Sequence, residues 1–292
     1  MATSKKKVVS DINQKTNKNK KFYFIAGLQR SGGTLLSAIL NQNPDVWAAP
    51  TSSLLPMMQN MVPTFDGQSN KDFDRSLDIT NVLKGIPNNF YESRHETHIL
   101  DKNHNWSNPM ALNIVSKFIV DDIDKIKVIC PVRDILEVLA SFNTIIEKTP
   151  ESVGNNNIDR GALNFTAPDM KPADRRAEFL MMPNQDVSTH LYGMRQALQP
   201  RFRHIFHFVE YNDIINNPKE TMDKIYDFLE IDKFEHTFDN LKSQEKPESA
   251  TGMYNLHTVR PVVEKQSVDP KDVFSPEIIR KYSNLEFWRD LK

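Results

Sequence analysis

The chain has 292 residues, 39% hydrophobic and 26% charged, with 37 basic against 38 acidic side chains and a net charge of −1. That length buries an ample core in one large or one-and-a-half domains, and an acidic balance outside the N-terminus excludes a general nucleic-acid binder. A single cysteine, Cys130, forbids an intrachain disulfide, and neither a signal-peptide core nor a bilayer-length apolar run is present, so a reducing, cytoplasmic setting without a membrane span is expected.

Residues 1–21 hold seven lysines against Asp11 alone, which is about +6 and leaves about −7 for the remainder of a chain totalling −1. Polar and without apolar periodicity, this stretch is expected to be a disordered lysine-rich tail, followed by a single domain over 22–292. A short, uncharged, aromatic-rich run at 22–27 reads as a buried strand, and apolar periodicity predicts a helix over 33–42. Between them lies Gly27-Leu28-Gln29-Arg30-Ser31-Gly32-Gly33-Thr34-Leu35. A strand that turns sharply into a helix aims unpaired backbone N–H groups and the positive end of the helix dipole at one point, so a phosphate or sulfate fits there. Gly27 and Gly32 match the spacing of the loop G-x-x-x-x-G-K-[ST], yet Gly33 occupies the lysine's place. The cation is Arg30 instead, which speaks against a magnesium-dependent nucleotide kinase.

A second strand is predicted at 45–48, helices at 53–62 and 71–84, and a third strand at 97–101 that runs into Asp101-Lys102-Asn103-His104. After a helix at 109–120, the run at 126–131 reads as another buried strand leaving through Arg133, and a helix at 134–147 carries Ser141. The stretch 148–183, with Gly154-Asn155-Asn156-Asn157, several prolines and Met181-Met182, reads as a long excursion from the sheet; there and in 51–62 acceptor contacts are expected. Leu54, Leu55, Met57, Met58 and Met61 read either as an adaptable wall or as core. A helix at 186–199, a strand at 204–209 leading to Tyr211, a helix at 218–229 and a basic loop with Arg260 and Lys265 complete the pattern. Alternation of this kind predicts an α/β fold, a parallel sheet with helices on both faces. Arg30, Lys102, Arg133 and Tyr211 all follow strand ends, where ligands of such sheets gather. No Cys/His set has a metal-ligand spacing, and no motif specifies an oligomeric state.

With these motifs in hand, the chain resembles the sulfotransferases that use 3′-phosphoadenosine-5′-phosphosulfate (PAPS) and share a P-loop-like fold. Arg30-Ser31-Gly32-Gly33-Thr34-Leu35 fits their loop [KR]-S-G-[TG]-T-L. Arg133 and Ser141 have the eight-residue spacing of the pair that holds the cofactor's 3′-phosphate. Lys102 and His104 reproduce the Lys-x-His of the cytosolic members, in which histidine is the general base; the string equally resembles the Asp-Lys-x-Pro turn of bacterial members, with His104 in the proline's place. Tyr211 matches a tyrosine that lies against the adenine, and its other reading is a core tyrosine at a strand end. Asn212 and Glu230 depart from the family's Glu and Gly. Arg260 and Lys265 correspond to a basic loop that covers the phosphates, or are solvated charges. Asp45 to Ser53 lacks the glutamate from which the tyrosylprotein branch takes its base, which weakens a tyrosine-sulfating assignment.

The resemblance implies sulfuryl transfer from PAPS to a hydroxyl or amine of a small-molecule, carbohydrate or peptide acceptor, with release of 3′-phosphoadenosine-5′-phosphate (PAP) and no metal required. The alternatives are a kinase using ATP and a non-catalytic PAP-binding protein of the same fold.

Overall fold

The computed structural model describes residues 20–65, 67–72, 75–149, 157–242, 259–265 and 268–291. The lysine-rich stretch at 1–21 therefore lies almost wholly outside the described residues, as do Gly154 to Asn156. Five strands, β1 (Lys21–Ile25), β2 (Val46–Ala48), β3 (His98–Lys102), β4 (Val128–Val132) and β5 (Phe206–Glu210), form one parallel sheet in the order β2-β3-β1-β4-β5. After β1 the chain moves to one side of it and after β3 to the other, so the strand order reverses beside the carboxyl end of β1. That crevice is where an open α/β sheet leaves room for a ligand.

Strand alternation divides the core in two. Phe22, Phe24, Ile99, Val128 and Cys130 face one side, and Tyr23, Ile25, Leu100, Ile129 and Val209 the other. The second face is covered by α1 (Gly33–Leu40), through Leu36, Ile39 and Leu40, and by α11 (Pro218–Leu229), through Met222, Ile225, Tyr226 and Leu229. The first is covered by α2 (Leu54–Phe65), α4 (Ser76–Phe90), α5 (Pro109–Phe118) and α6 (Ile135–Lys148), with the short α3 (Gln68–Asp72) between α2 and α4. Leu54, Leu55 and Met58 are core, whereas Met57 and Met61 are exposed. The short edge strand β2 is held by a side chain that mimics a strand partner: Asn41 donates to the Ala48 carbonyl at 2.7 Å and accepts from the Ala48 amide at 2.8 Å.

The stretch 148–183 does leave the sheet, and its described part is helical: α7 (Asn157–Phe165) and α8 (Pro172–Met181). Arg176 fastens both to α6, pairing with Asp159 at 2.6 Å and 3.1 Å and with Asn143 at 2.7 Å. Gly161 permits this contact, since a Cβ there would stand 2.2 Å from the Phe179 ring. Helices α9 (Asp186–Ala197), α10 (Tyr211–Asn216), α12 (Pro270–Val273) and α13 (Pro276–Tyr282) complete the described fold. The C-terminal turn Phe287–Asp290 locks onto the end of β5, where Trp288 and Arg289 donate to Glu210 at 2.9 Å and 2.6 Å. Among the described residues no helix is long and apolar enough to cross a membrane, and no group of three or more His, Cys, Asp or Glu is placed to hold a metal ion.

Burial on the second face has a pH consequence. The Tyr226 hydroxyl accepts from Asn43 at 3.1 Å and shares a hydrogen bond with His236 Nε2 at 3.0 Å. Burial lowers His236 to a pKa of about 4 from its usual 6.5. The unfolded chain therefore takes up the proton first, and stability present above pH 6.5 is lost as pH falls towards about 4. Acidification from about pH 7 to 5 should cost on the order of 1 kcal/mol through this residue, allowing for solvent screening. Urea unfolding at both pH values should show that share removed in His236→Gln; an unaltered pH dependence would contradict the assignment.

Candidate active site

The loop after β1 is a concave run of backbone N–H groups. Gly27 and Gly32 have φ of 84° and 87°, and Arg30 itself is left-handed at 61°. Left-handed residues set among right-handed ones curl successive amides towards one point. A side chain at Gly27 is doubly barred, by its φ and by a Cβ that would lie 2.3 Å from the Pro131 carbonyl. The strain at Arg30, of order 1 kcal/mol, is held from outside the loop. Ser31, fully buried, donates to the carbonyls of Leu28 and, at 2.8 Å, Pro131, while Arg133 Nη1 donates to the Arg30 carbonyl at 3.3 Å. The side chain of Ser31 is thus structural and only its amide is left to serve a ligand. The first intrahelical bond of α1 runs from Leu36 N to Gly32 O at 2.9 Å, so the amides of Gly33, Thr34 and Leu35 precede the ladder at the positive end of the dipole.

β3 delivers the next two groups. Lys102, 4% exposed, reaches Thr34 Oγ1 at 3.0 Å. A Cβ on residue 33 would stand 3.3 Å from Lys102 Cε, so the glycine that replaces the usual loop lysine makes room for a lysine arriving from the neighbouring strand. Two residues on, the chain has left the strand and His104 begins the 3₁₀ turn His104–Ser107. His104 Nδ1 lies 3.1 Å from the Gly27 carbonyl. A carbonyl only accepts, so Nδ1 carries the hydrogen and the basic lone pair of the neutral ring sits on Nε2.

What fixes this strand end is Asp101, fully buried between Leu100 and Lys102. Its carboxylate accepts from Ser52 at 2.5 Å, Tyr91 at 2.6 Å and Trp106 at 2.6 Å, which ties the end of β3 to the segments on both sides. Burial raises its pKa and the three donors oppose that rise. Its signature in the sequence is a carboxylate inside an otherwise apolar strand run, ahead of two residues assigned to chemistry.

From β4 comes Arg133, 4% exposed, with Nε on Glu137 at 2.7 Å and its guanidinium 4.2 Å above the Tyr211 ring. Tyr211 opens α10 rather than ending β5, and its ring is wedged between Arg133 and Gly32, where a Cβ would approach it to 2.9 Å. Ser141 lies on α6 as the spacing predicts, but its hydroxyl accepts from Arg30 Nε at 3.2 Å. The two arginines consequently share one locality, and burial first, then the charge of Arg133, lowers Arg30 to a pKa of about 10. It remains a cation at neutral pH.

These groups line one cavity of about 380 Å³. Arg30, Gly32, Gly33, Thr34, Leu35, Lys102, His104, Arg133, Ser141, Tyr211 and Arg260 all border it; Lys265 does not, and Arg260 is paired with Glu264 at 2.5 Å. The expected acceptor segments each contribute one wall residue, Thr51 and Ile158. Phe142 and Asp186 also line it, and nothing in their local sequence distinguishes them from core and surface residues.

The parallel sheet gathers these cationic side chains at one carboxyl rim. The chain belongs to the Sulfotransferase family, whose pattern its residues 23–236 match. Searched by sequence, no curated protein matches it. Among solved structures it is similar to the sulfotransferase domain from the curacin biosynthetic pathway, at 15% identity and a TM-score of 0.50 over 90% of this chain and 97% of that one. It is also similar to the sulfotransferase domain of the Synechococcus PCC 7002 olefin synthase, at 16% identity and a TM-score of 0.41 over 94% and 90%. A sulfotransferase from Mycobacterium avium gives 14% identity and a TM-score of 0.44 over 73% and 64%. The first of these likenesses bears on the fold.

Asp101→Ala should lower stability by about 3–5 kcal/mol, because three buried donors lose their acceptor. Ser52→Ala should cost only about 1 kcal/mol. Urea unfolding measures both, and equal costs would refute Asp101 as the anchor of the strand end.

Proposed function

We propose that this protein transfers a sulfuryl group from PAPS to a hydroxyl or amine acceptor and releases PAP. The observation that carries the reading is the convergence of Arg30 from the loop after β1, Lys102 and His104 from the end of β3, and Arg133 from the end of β4 on one cavity. Two guanidiniums brought together at a buried rim repel each other and are costly to desolvate, as the depressed pKa of Arg30 reflects. A phosphorylated ligand between them removes both penalties, so the residues fit a nucleotide carrying phosphates at two positions. When bound, PAPS supplies an activated sulfuryl group whose leaving group is a phosphate.

The chain's own groups divide the remaining tasks. Arg30 and the amides of residues 31–35 bind the 5′ end and stabilise the negative charge that grows on the leaving oxygen. Lys102, held against Thr34, adds a second positive charge on the side facing the acceptor. Arg133 and Ser141 hold the 3′-phosphate; Arg133 is kept in place by Glu137 and the Tyr211 ring, and Ser141 must exchange its bond with Arg30 for one to the ligand. Tyr211 serves first as the floor under Arg133. His104, oriented by the Gly27 carbonyl, takes the acceptor's proton at Nε2.

Labelled-sulfate transfer from PAPS across a panel of phenols, alcohols and amines tests the proposal, with ATP as the control donor. Transfer from PAPS and none from ATP is expected; PAP binding with no transfer to any acceptor would instead mark a non-catalytic binder. His104→Ala should lower turnover about 10²–10⁴-fold, the usual contribution of a general base. Its PAP affinity, by calorimetry, should stay within about two-fold, since His104 is assigned to the acceptor side. Unchanged turnover would remove His104 from the mechanism.

A further inference from the structure

The charges around the cavity are unevenly distributed. Five basic side chains, Arg30, Lys102, His104, Arg133 and Arg260, face two carboxylates, Glu264 and Asp186. Glu264 is neutralised by Arg260. The Asp186 backbone bonds the His190 ring and its charge is felt there, but the Asp186 carboxylate makes no hydrogen bond or ion pair among the described residues.

Its place relative to the chemistry follows from helix geometry. Asp186 is the first residue of α9, and His190 lies four residues on, on the same face and one turn further along. The buried His190 ring packs against His104, with centroids 5.2 Å apart. The face of α9 that touches the proposed base therefore also presents Asp186 to the cavity, about one helical turn (about 5–6 Å) away. The lining of the same cavity also includes the apolar Leu28, Phe142 and Ile158. An acidic residue in the first turn is favourable to any helix, and that accounts for the residue type; it does not account for its position on the cavity wall beside the base.

We infer that Asp186 recognises a cationic group on the acceptor, and hence that the acceptor class is a hydroxyl compound with an apolar body that carries a protonated amine. The inference rests on the sulfotransferase reading above. The apolar walls receive the body, His104 and Lys102 meet the hydroxyl, and the carboxylate pairs with the ammonium at the far end. In the acceptor-free protein the same carboxylate faces water and is not strained by its exposure.

A matched pair of ligands isolates the effect: tyramine and para-propylphenol differ only in an ammonium replacing a methyl. Both are titrated calorimetrically into the PAP-saturated protein, so that bound nucleotide contributes equally to every variant. The ratio of tyramine to para-propylphenol affinity should fall about five-fold in Asp186→Asn, the contribution of a partly exposed ion pair. Asp186→Glu, which keeps the charge, should retain most of the preference, and PAP affinity should be the same in all three proteins. A merely structural role for Asp186 would weaken both ligands alike. An unchanged ratio in Asp186→Asn, or no tyramine binding to the PAP-loaded wild type, overturns the inference while leaving the sulfotransferase reading intact. Failure of PAP itself to bind would strike down that reading, and this inference with it.

Discussion

The arrangement depends on holding two like charges together. Arg30 and Arg133 come from loops after different strands, and left to themselves they would separate into solvent. Here the Arg133 side chain donates to the Arg30 backbone, rests on Tyr211 and is tethered by Glu137, while Arg30 is anchored on Ser141 and set in a left-handed conformation. The repulsion is thus built into the folded state and offset by neighbouring contacts, the preorganisation that the proposed nucleotide site requires.

The sheet makes this possible at low cost. Because β1 pairs with β3 on one side and β4 on the other, the loop after β1 is flanked by Lys102 and by the Pro131–Arg133 segment without any long connection having to reach in. The absent side chains matter as much as those present. Gly33 admits Lys102, Gly32 admits Tyr211, and Gly27 admits the β4 backbone. The loop's departure from the common phosphate-binding pattern becomes intelligible in these terms: the lysine is supplied from the next strand, and the residue it displaces has to be small. Asp101 then determines where that lysine points, since it fixes the end of β3 through three donors.

Much of this was legible in the sequence because short, uncharged runs such as Phe22 to Ala26 and Val128 to Val132 can only be buried strands, and buried strands of a parallel sheet release their next residues at the ligand rim. The convergence of Arg30, Lys102, Arg133 and Tyr211 followed from that rule alone. Features that depend on tertiary partners were not legible. Helices α7 and α8 are short and largely polar, and they are held in place by the Arg176 network and the Gly161–Phe179 contact, neither of which has a local signature. The motif places the Ser31 amide in the loop but says nothing of its hydroxyl, which bonds the carbonyls of Leu28 and Pro131. Lys265 shares a loop with Arg260 and still falls outside the cavity, since a loop's charges are positioned by its fold and not by its composition. Asp186 has no distinguishing sequence signal, because one carboxylate at a helix start is commonplace and only the contact of His190 with His104 sets it apart.

The central claim is that the paired arginines read two phosphates on one nucleoside. Calorimetric titration of the wild-type protein with PAP, and separately with adenosine 5′-phosphate, tests it most directly, because the two ligands differ only in the 3′-phosphate. A charge-assisted contact of that kind should make PAP bind about a hundred-fold more tightly. Equal affinities, or binding of neither nucleotide, would contradict the account.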